Sequence, residues 1–394
     1  MGAAHSGSDG AEPSKKTHLE GTHRVCPPEE TLRRLRPLLG YLGVTRVADV
    51  TWLDDTGVPV YQAVRPNSYL LSVAQGKGLT PALAEVSAVM EAIELWHAER
   101  LGPGEHTATV GEVEGELEYA VDELAGLRSR NHLNPAVRLG WSSARHLVSG
   151  GPSLIPAQYL RLDGRVRDVW APQLFLASSN GLASGNTFDE AVLHGLYETI
   201  ERDSLVRTGP GPAPRVLDLD SVEGSARQLI EQVAGRGVQV VIEVLESPLG
   251  LPCLRARITS EPFPELFLGM GAHLDRDVAL CRALTEAVQS RVTTIAGSRD
   301  DMSAEAYHRA AAVRAGRTAA PDLESMFNLA ERVSYRDLPT LCQPTLADDL
   351  GLVAAQVHRS TGRDPLVVDH TRADVGIPVV RVVCPRLLFD ADLV

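Results

Sequence analysis

Short apolar runs that alternate with polar residues give way along this chain to longer segments whose apolar residues return every three or four positions. The first kind predicts strands at "VPVYQAV" (58–64), "VQVVIEVL" (238–245), "LFLGMGAHL" (266–274) and "IPVVRVV" (377–383). The second predicts helices from Pro81 to about Arg100, from Phe188 to about Leu205 and from Val278 to about Ala296. Each helix has a start signal. Thr80 stands as N-cap ahead of Pro81, Thr187 precedes Asp189 and Glu190, and Asp275 or Asp277 precedes the third. The irregular mixture of the two kinds predicts a mixed α/β fold, α+β in class. Two Gly/Pro-rich stretches, "GPGPAP" (209–214) and "AGRTAAPD" (315–322), read as surface loops. Residues 1–24 carry no periodic apolar pattern and are expected to form a disordered polar tail, with one large domain over 25–394.

The three helices repeat a polar pattern as well as an apolar one. "SAVMEAIELW" from Ser87, "HGLYETIERD" from His194 and "RALTEAVQSR" from Arg282 each set a polar residue four before a glutamate and a carboxylate or amide three after it. The sets are Ser87, Glu91 and Glu94; His194, Glu198 and Glu201; Arg282, Glu286 and Gln289. Positions i, i+4 and i+7 share one stripe of a helix. In the second helix Leu193, Leu196 and Ile200 make the core face, and Glu198 lies about 140° around the axis from Leu193. A single stripe of this kind would read as a solvated face. Three of them, about a hundred residues apart, read as walls of one site. Converging glutamates raise one another's pKa unless cations neutralise them, and Mg²⁺ set between carboxylates and nucleotide phosphates does so.

The loops ahead of the first two helices add to this. "SVAQGKGLTP" places Lys77 between two glycines, where backbone and ammonium can both approach a phosphate, although the spacing is not that of a P-loop. "SSNGLASGNT" offers Asn180 and Asn186, able to shape the turn or to contact a base, a ribose or a metal.

Charge sharpens the picture by exclusion. With 38 Lys and Arg against 51 Asp and Glu the chain carries −13 and a pI near 5.4, so no overall field draws it to nucleic acid or an anionic membrane. A phosphate-bearing ligand must then be held locally. No run approaches the roughly 20 apolar residues of a membrane span, and a soluble, cytoplasmic protein is expected. The cysteines (Cys26, Cys253, Cys281, Cys342, Cys384) are scattered without a CxxC pair, against a disulfide framework or structural zinc. His97, His194 and His273 lie near the motifs and read as packed or capping residues, which leaves the general base unassigned.

With these blocks assembled, the chain resembles the YcaO family, ATP-dependent enzymes that activate backbone amides of peptides. The resemblance is carried by "GKGLTPALAEVSAVMEAIE" (76–94), "NGLASGNTFDEAVLHGLYETIERD" (180–203) and "RALTEAVQSR" (282–291), in the family's order. It covers about Arg65 to Arg291 and continues less specifically to the C-terminus. It implies a single YcaO-type domain, a nucleotide site between helices and sheet, and ATP and Mg²⁺ as cofactors. By the same resemblance Glu91, Glu94, Glu198 and Glu201 hold Mg²⁺, Lys77 contacts phosphate and Ser87 faces the nucleotide. Asn180, Glu190, Arg202, Arg282, Glu286 and Gln289 complete the nucleotide site, and Arg65 and Arg291 join it on likeness alone.

The implied reaction phosphorylates a backbone amide oxygen of a ribosomally made precursor peptide, so that a nucleophile can replace it. A Cys, Ser or Thr of the substrate would give an azoline, external sulfide a thioamide, and amidine formation is a further variant. The ending "GIPVVRVVCPRLLFDADLV" lacks the proline-rich tail common among azoline formers and resembles stand-alone members, some of which act with a TfuA-type partner. A separate peptide-delivery or TfuA-like protein is therefore expected, and a homodimer is a common family state. The alternative reading is a catalytically silent scaffold of the same fold serving a partner enzyme.

Overall fold

The computed structural model describes residues 15–390 except 129–133, 135, 166–172, 210–213, 301–306, 309, 310 and 314. Among the described residues the helices of eight or more residues are, in chain order, α1 (Pro28–Leu35), α2 (Pro81–Glu99), α3 (Val110–Leu117), α4 (Phe188–Thr208), α5 (Gly224–Ala234), α6 (Arg276–Ala296) and α7 (Leu346–Thr361). The first strands are β1 (Arg46–Asp49), β2 (Val60–Val64) and β3 (Val73–Lys77), followed by β4 (His106–Thr109), β5 (Arg138–His146), β6 (Pro152–Pro156) and β7 (Leu182–Ser184). Then come β8 (Arg215–Leu217), β9 (Val238–Val244), β10 (Cys253–Ser260), β11 (Phe267–Ala272), β12 (Glu331–Val333), β13 (Leu366–Asp369) and β14 (Val379–Val383). All four strands and all three helices expected from the apolar pattern are present among these. The fold is mixed α/β. The loop expected at 315–322 contains no helix or strand, and most of that at 209–214 lies outside the described residues.

Three sheets share the work. One orders β1-β2-β3, a second β11-β10-β9-β8-β12, and a third β4-β5-β13-β14-β7 with β6 added to β5. Each sheet has an end strand that runs directly into one of the long helices: β3 into α2, β7 into α4, β11 into α6. Each helix is capped as its sequence predicts, Thr80 accepting from the Leu83 amide, Thr187 from Glu190 and Asp275 from Asp277.

Each helix buries its apolar side against its own sheet. Ala88, Ile93 and Trp96 pack with Ala63 and Ala74; Leu196 and Ile200 with Val380 and Val382; Leu284 and Val288 with Ile242 and Leu254. Burial extends around α4, because Glu201 is only 2% exposed. Its glutamates therefore face an interior space, not bulk water.

The amino-terminal segment departs from expectation. Residues 1–14 lie outside the described residues, but residues 15–24, which the lack of periodicity assigns to a polar tail, lie against the domain. Polar contacts hold them: Lys16 Nζ stands 2.5 Å from Asp349 and 2.7 Å from the Gln343 carbonyl. Thr17 and His18 pair through their backbones with Arg24, and the Val25 amide donates to Glu190 at 3.1 Å. Order of this origin leaves no apolar period to read.

Candidate active site

The three strand–helix units repeat in strict register. A small residue near the strand end, Gly76, Ala183 or Gly271, is followed four residues later by the cap, Thr80, Thr187 or Asp275. Eight and twelve residues on come Ala84 and Ala88, Ala191 and Gly195, Ala279 and Ala283; fifteen residues on come Glu91, Glu198 and Glu286. The small residues have a steric reason. A Cβ on Gly76 would stand 2.1 Å from the Ala84 oxygen and the Ala88 nitrogen, and one on Gly271 would stand 2.1 Å from the Ala279 oxygen. Helix and strand backbones are thus in contact, which fixes the height and rotation of each glutamate stripe. In the middle unit the close approach moves to Gly195, where a Cβ would meet the Gly181 carbonyl oxygen at 2.9 Å.

The units close into a ring. Besides its own strand, α2 touches β7, α4 touches β11 and α6 touches β3. Side chains tie the first and third of these joints: Glu94 accepts from the Ser184 amide at 2.8 Å and its hydroxyl at 2.6 Å, Thr293 donates to Gln75, and Lys77 Nζ meets Glu286 at 2.7 Å. The ring surrounds a cavity of about 900 Å³.

Eleven of the fourteen residues that the family resemblance assigns to metal or nucleotide line this cavity: Lys77, Ser87, Glu91, Glu94, Glu190, Glu198, Glu201, Arg202, Arg282, Glu286 and Gln289; Asn186 and His194 line it as well. Three of the fourteen do not. Arg65 is 3% exposed and fully engaged, with Glu99 at 2.6 Å and the Leu42 and Ala92 carbonyls, because a buried guanidinium persists only when paired. Arg291 is pinned at 3.0 Å by both oxygens of Asp54 and bonds Ser260 at 2.8 Å, fastening α6 to the loop before β2. Asn180 is buried outside the cavity wall, in the turn that Gly181 makes at φ 77°. Glu190 does line the cavity, yet its carboxylate is taken up by the Val25 amide and by Asn186, at 3.1 Å from its amide and 2.9 Å from Nδ2.

Other wall residues escaped the sequence reading. Arg24 comes from the amino-terminal segment, Gln75 and Ser184 from the strand ends, and Arg299 follows α6. Only the strand-end pair had a signal, as neighbours of Gly76 and Gly185.

Six glutamates and six Lys or Arg side chains line the space. A wall balanced in this way suits a ligand that carries cations and anions together, and not either alone. Burial pushes the Glu94 carboxyl up to about 8, with Glu91 and Glu198 adding to the shift against the Ser184 bonds. Burial likewise lifts Glu198 to about 7 despite Arg202, and raises Glu91 and Glu201. Glu286 is the exception: burial works against its ionisation, but Lys77, Arg202 and Arg282 outweigh it and hold the carboxyl below the ordinary range. One buried oxygen of Glu201 has no hydrogen-bond partner. Raised, underbonded carboxylates of this kind are what a hard dication would satisfy. No group of three or more His, Cys, Asp or Glu side chains among the described residues is close enough to share one ion.

A profile described as YcaO cyclodehydratase, ATP- and Mg²⁺-binding, matches residues 75–388. The chain belongs to the YcaO family. An uncharacterised protein of Mycobacterium tuberculosis is 38% identical over 384 residues, covering 97% of this chain and 86% of that protein. A protein of Rhizobium leguminosarum bv. trifolii, known as an uncharacterised protein in the tfuA 3′ region, is 33% identical over 384 residues, 93% of this chain and 89% of its own. Among solved structures, a YcaO from Methanopyrus kandleri bound with AMPPCP and Mg²⁺ superposes with a TM-score of 0.73 at 24% identity, covering 95% and 94% of the two chains. A heterocyclase in complex with substrate and cofactor gives 0.76 at 20% identity, over 96% of this chain and 54% of that one. This YcaO protein is accordingly an ATP-dependent enzyme, with ATP and Mg²⁺ as its cofactors.

Proposed function

We propose that this YcaO protein activates a backbone amide of a precursor peptide for replacement of its oxygen by sulfur, giving a thioamide. The observation that carries the amide-activating reading is the convergence of the three glutamate stripes, with Lys77, Arg202 and Arg282, on one charge-balanced cavity. Bound there, ATP would supply the phosphoryl group that makes the amide oxygen a leaving group, with Mg²⁺ offsetting the charge of its phosphates. Glu91, Glu94, Glu198 and Glu201 would hold the Mg²⁺ ions, one or two carboxylates to each, while Lys77 would exchange Glu286 for phosphate. Arg202 and Arg282 would meet the remaining negative charge, and Ser87 and Gln289 would position the nucleotide. Catalysis of this kind rests on placement and electrostatics, which a ring of backbone-locked helices supplies.

The choice of sulfur is supported by the relative from the tfuA 3′ region, which points to a TfuA-like partner for this chain. In the reaction, hydrosulfide forms a carbon–sulfur bond, the carbon–oxygen bond breaks, and the oxygen departs on phosphate together with the sulfhydryl proton. Mass spectrometry of the peptide, with phosphate release followed in parallel, tests this. Exchange of one oxygen for sulfur, dependent on peptide, sulfide, ATP and Mg²⁺, is the expected result. Loss of one water would assign azoline formation instead, and nucleotide binding without turnover on any peptide would make the protein a scaffold.

A further inference from the structure

The joint between the second and third units contains a small chamber separate from the main space. His194 and Tyr197 of α4, Arg282 of α6, His273 after β11, and His23 and Arg24 of the amino-terminal segment form most of its wall. Its volume is about 20 Å³, room for one water-sized species. Arg24, His194 and Arg282 also line the large cavity, so single side chains divide the two spaces.

The wall has hydrogen-bonding capacity with nothing to use it. The Tyr197 hydroxyl, Arg282 Nε, His23 Nδ1 and His194 Nδ1 have no partner, and Tyr197 and His23 are 3% and 9% exposed. Arg282 Nε can only donate, the phenol donates readily, and each imidazole nitrogen donates or accepts. Glu190, the carboxylate on this wall, is already bonded to Val25 and Asn186. Arg24 stands 3.6 Å from Glu190, so among the charged residues on this wall Arg282 is the one left without an opposite charge. Ring contacts fix its shape, His273 lying 4.8 Å from His23 and 4.6 Å from Tyr197 between centroids. A fitting occupant has one heavy atom, negative charge, several acceptor directions and a hydrogen to give an imidazole.

We propose that the chamber holds hydrosulfide, the nucleophile of the thioamide reaction, beside the nucleotide cavity; this rests on the functional reading above. A nucleophile belonging to the peptide would arrive tethered and would need no chamber of this size.

Bromide is close to hydrosulfide in size and is the first probe. Crystals of the full chain soaked in bromide should show an anomalous peak within reach of the Tyr197 hydroxyl and Arg282 Nε, and added sulfide should displace it. Water alone there, or a peak that sulfide does not displace, overturns the proposal. In assays with peptide, partner, ATP and sulfide, Tyr197→Phe and His23→Gln should each raise the KM for sulfide about tenfold, the worth of one hydrogen bond to a charged group, and leave the KM for ATP unchanged. An unchanged sulfide KM in both variants also overturns it. A wild type that forms thioamide while both variants keep its sulfide KM refutes the chamber alone; a wild type that only closes rings refutes the functional reading and the hydrosulfide role with it.

Discussion

Four glutamates on the cavity wall hold their protons above the pH at which a free carboxyl loses its own. Glu94, raised to about 8, gives the clearest consequence. Between its ordinary value of 4.5 and about 8 the unfolded chain ionises this group while the folded, nucleotide-free protein keeps it protonated. Unfolding then releases a proton, so stability falls as pH rises through that window and levels off above it. For Glu198 the window closes near 7. Glu94→Gln, whose amide oxygen can still accept from Ser184, should therefore melt higher than wild type at about pH 8 without Mg²⁺ and differ little near pH 5. Thermal melts at the two pH values check this, and the same variant should lose the stabilisation that a Mg²⁺-nucleotide analogue gives wild type. Two basic residues should separate in the opposite manner. Arg65→Ala breaks a buried pair and should cost roughly 3–5 kcal/mol of stability with the nucleotide affinity of the folded protein unchanged. Lys77→Ala should weaken nucleotide binding with little effect on unfolding, as denaturant titration and calorimetry would measure. Both lie near the glycine-flanked motif, and family likeness drew them together; only the packing reveals that Arg65 already has Glu99 as its partner.

At the scale of elements, the glutamate stripes are placed by contact between backbones. Gly76→Ala or Gly271→Ala would drive a Cβ into a helix that the strand cannot leave without breaking its ladder. Each should cost about 1–3 kcal/mol and displace its glutamate stripe, weakening nucleotide binding. Gly40→Ala, with nothing within 4 Å, serves as the neutral comparison in the same melts and titrations. The long helices were legible because periodicity, caps and polar stripes all agreed over twenty or so residues. Of the strand halves only that at 266–274 was legible, and the shared role of Gly76, Ala183 and Gly271 was not, since they act through small size and carry no chemistry of their own. Arg291 was misplaced for a related reason: its partner Asp54 lies 237 residues away and belongs to no motif.

Across the whole molecule, threefold repetition is broken where function requires it. Two units present paired carboxylates, Glu91 with Glu94 and Glu198 with Glu201, whereas the third carries Glu286 with the amide of Gln289. The position after the strand's small residue likewise changes from Lys77 to Ser184 to Ala272. The first two units thus supply the paired carboxylates, while Lys77, Arg202 and Arg282 stand one on each unit, a mixture suited to metal-bridged phosphates. The amino-terminal segment adds Arg24 to the wall, and no helix among the described residues is long and apolar enough to cross a membrane. If the acidic stripes bind nucleotide through Mg²⁺, affinity must depend on both the metal and the glutamates. Calorimetric titration of a non-hydrolysable ATP analogue into the full chain, with Mg²⁺ and then with EDTA, tests it most directly. Binding should require Mg²⁺ and fall roughly tenfold or more in Glu198→Gln and in Glu201→Gln. Equal affinity in EDTA, or in both variants, would contradict it.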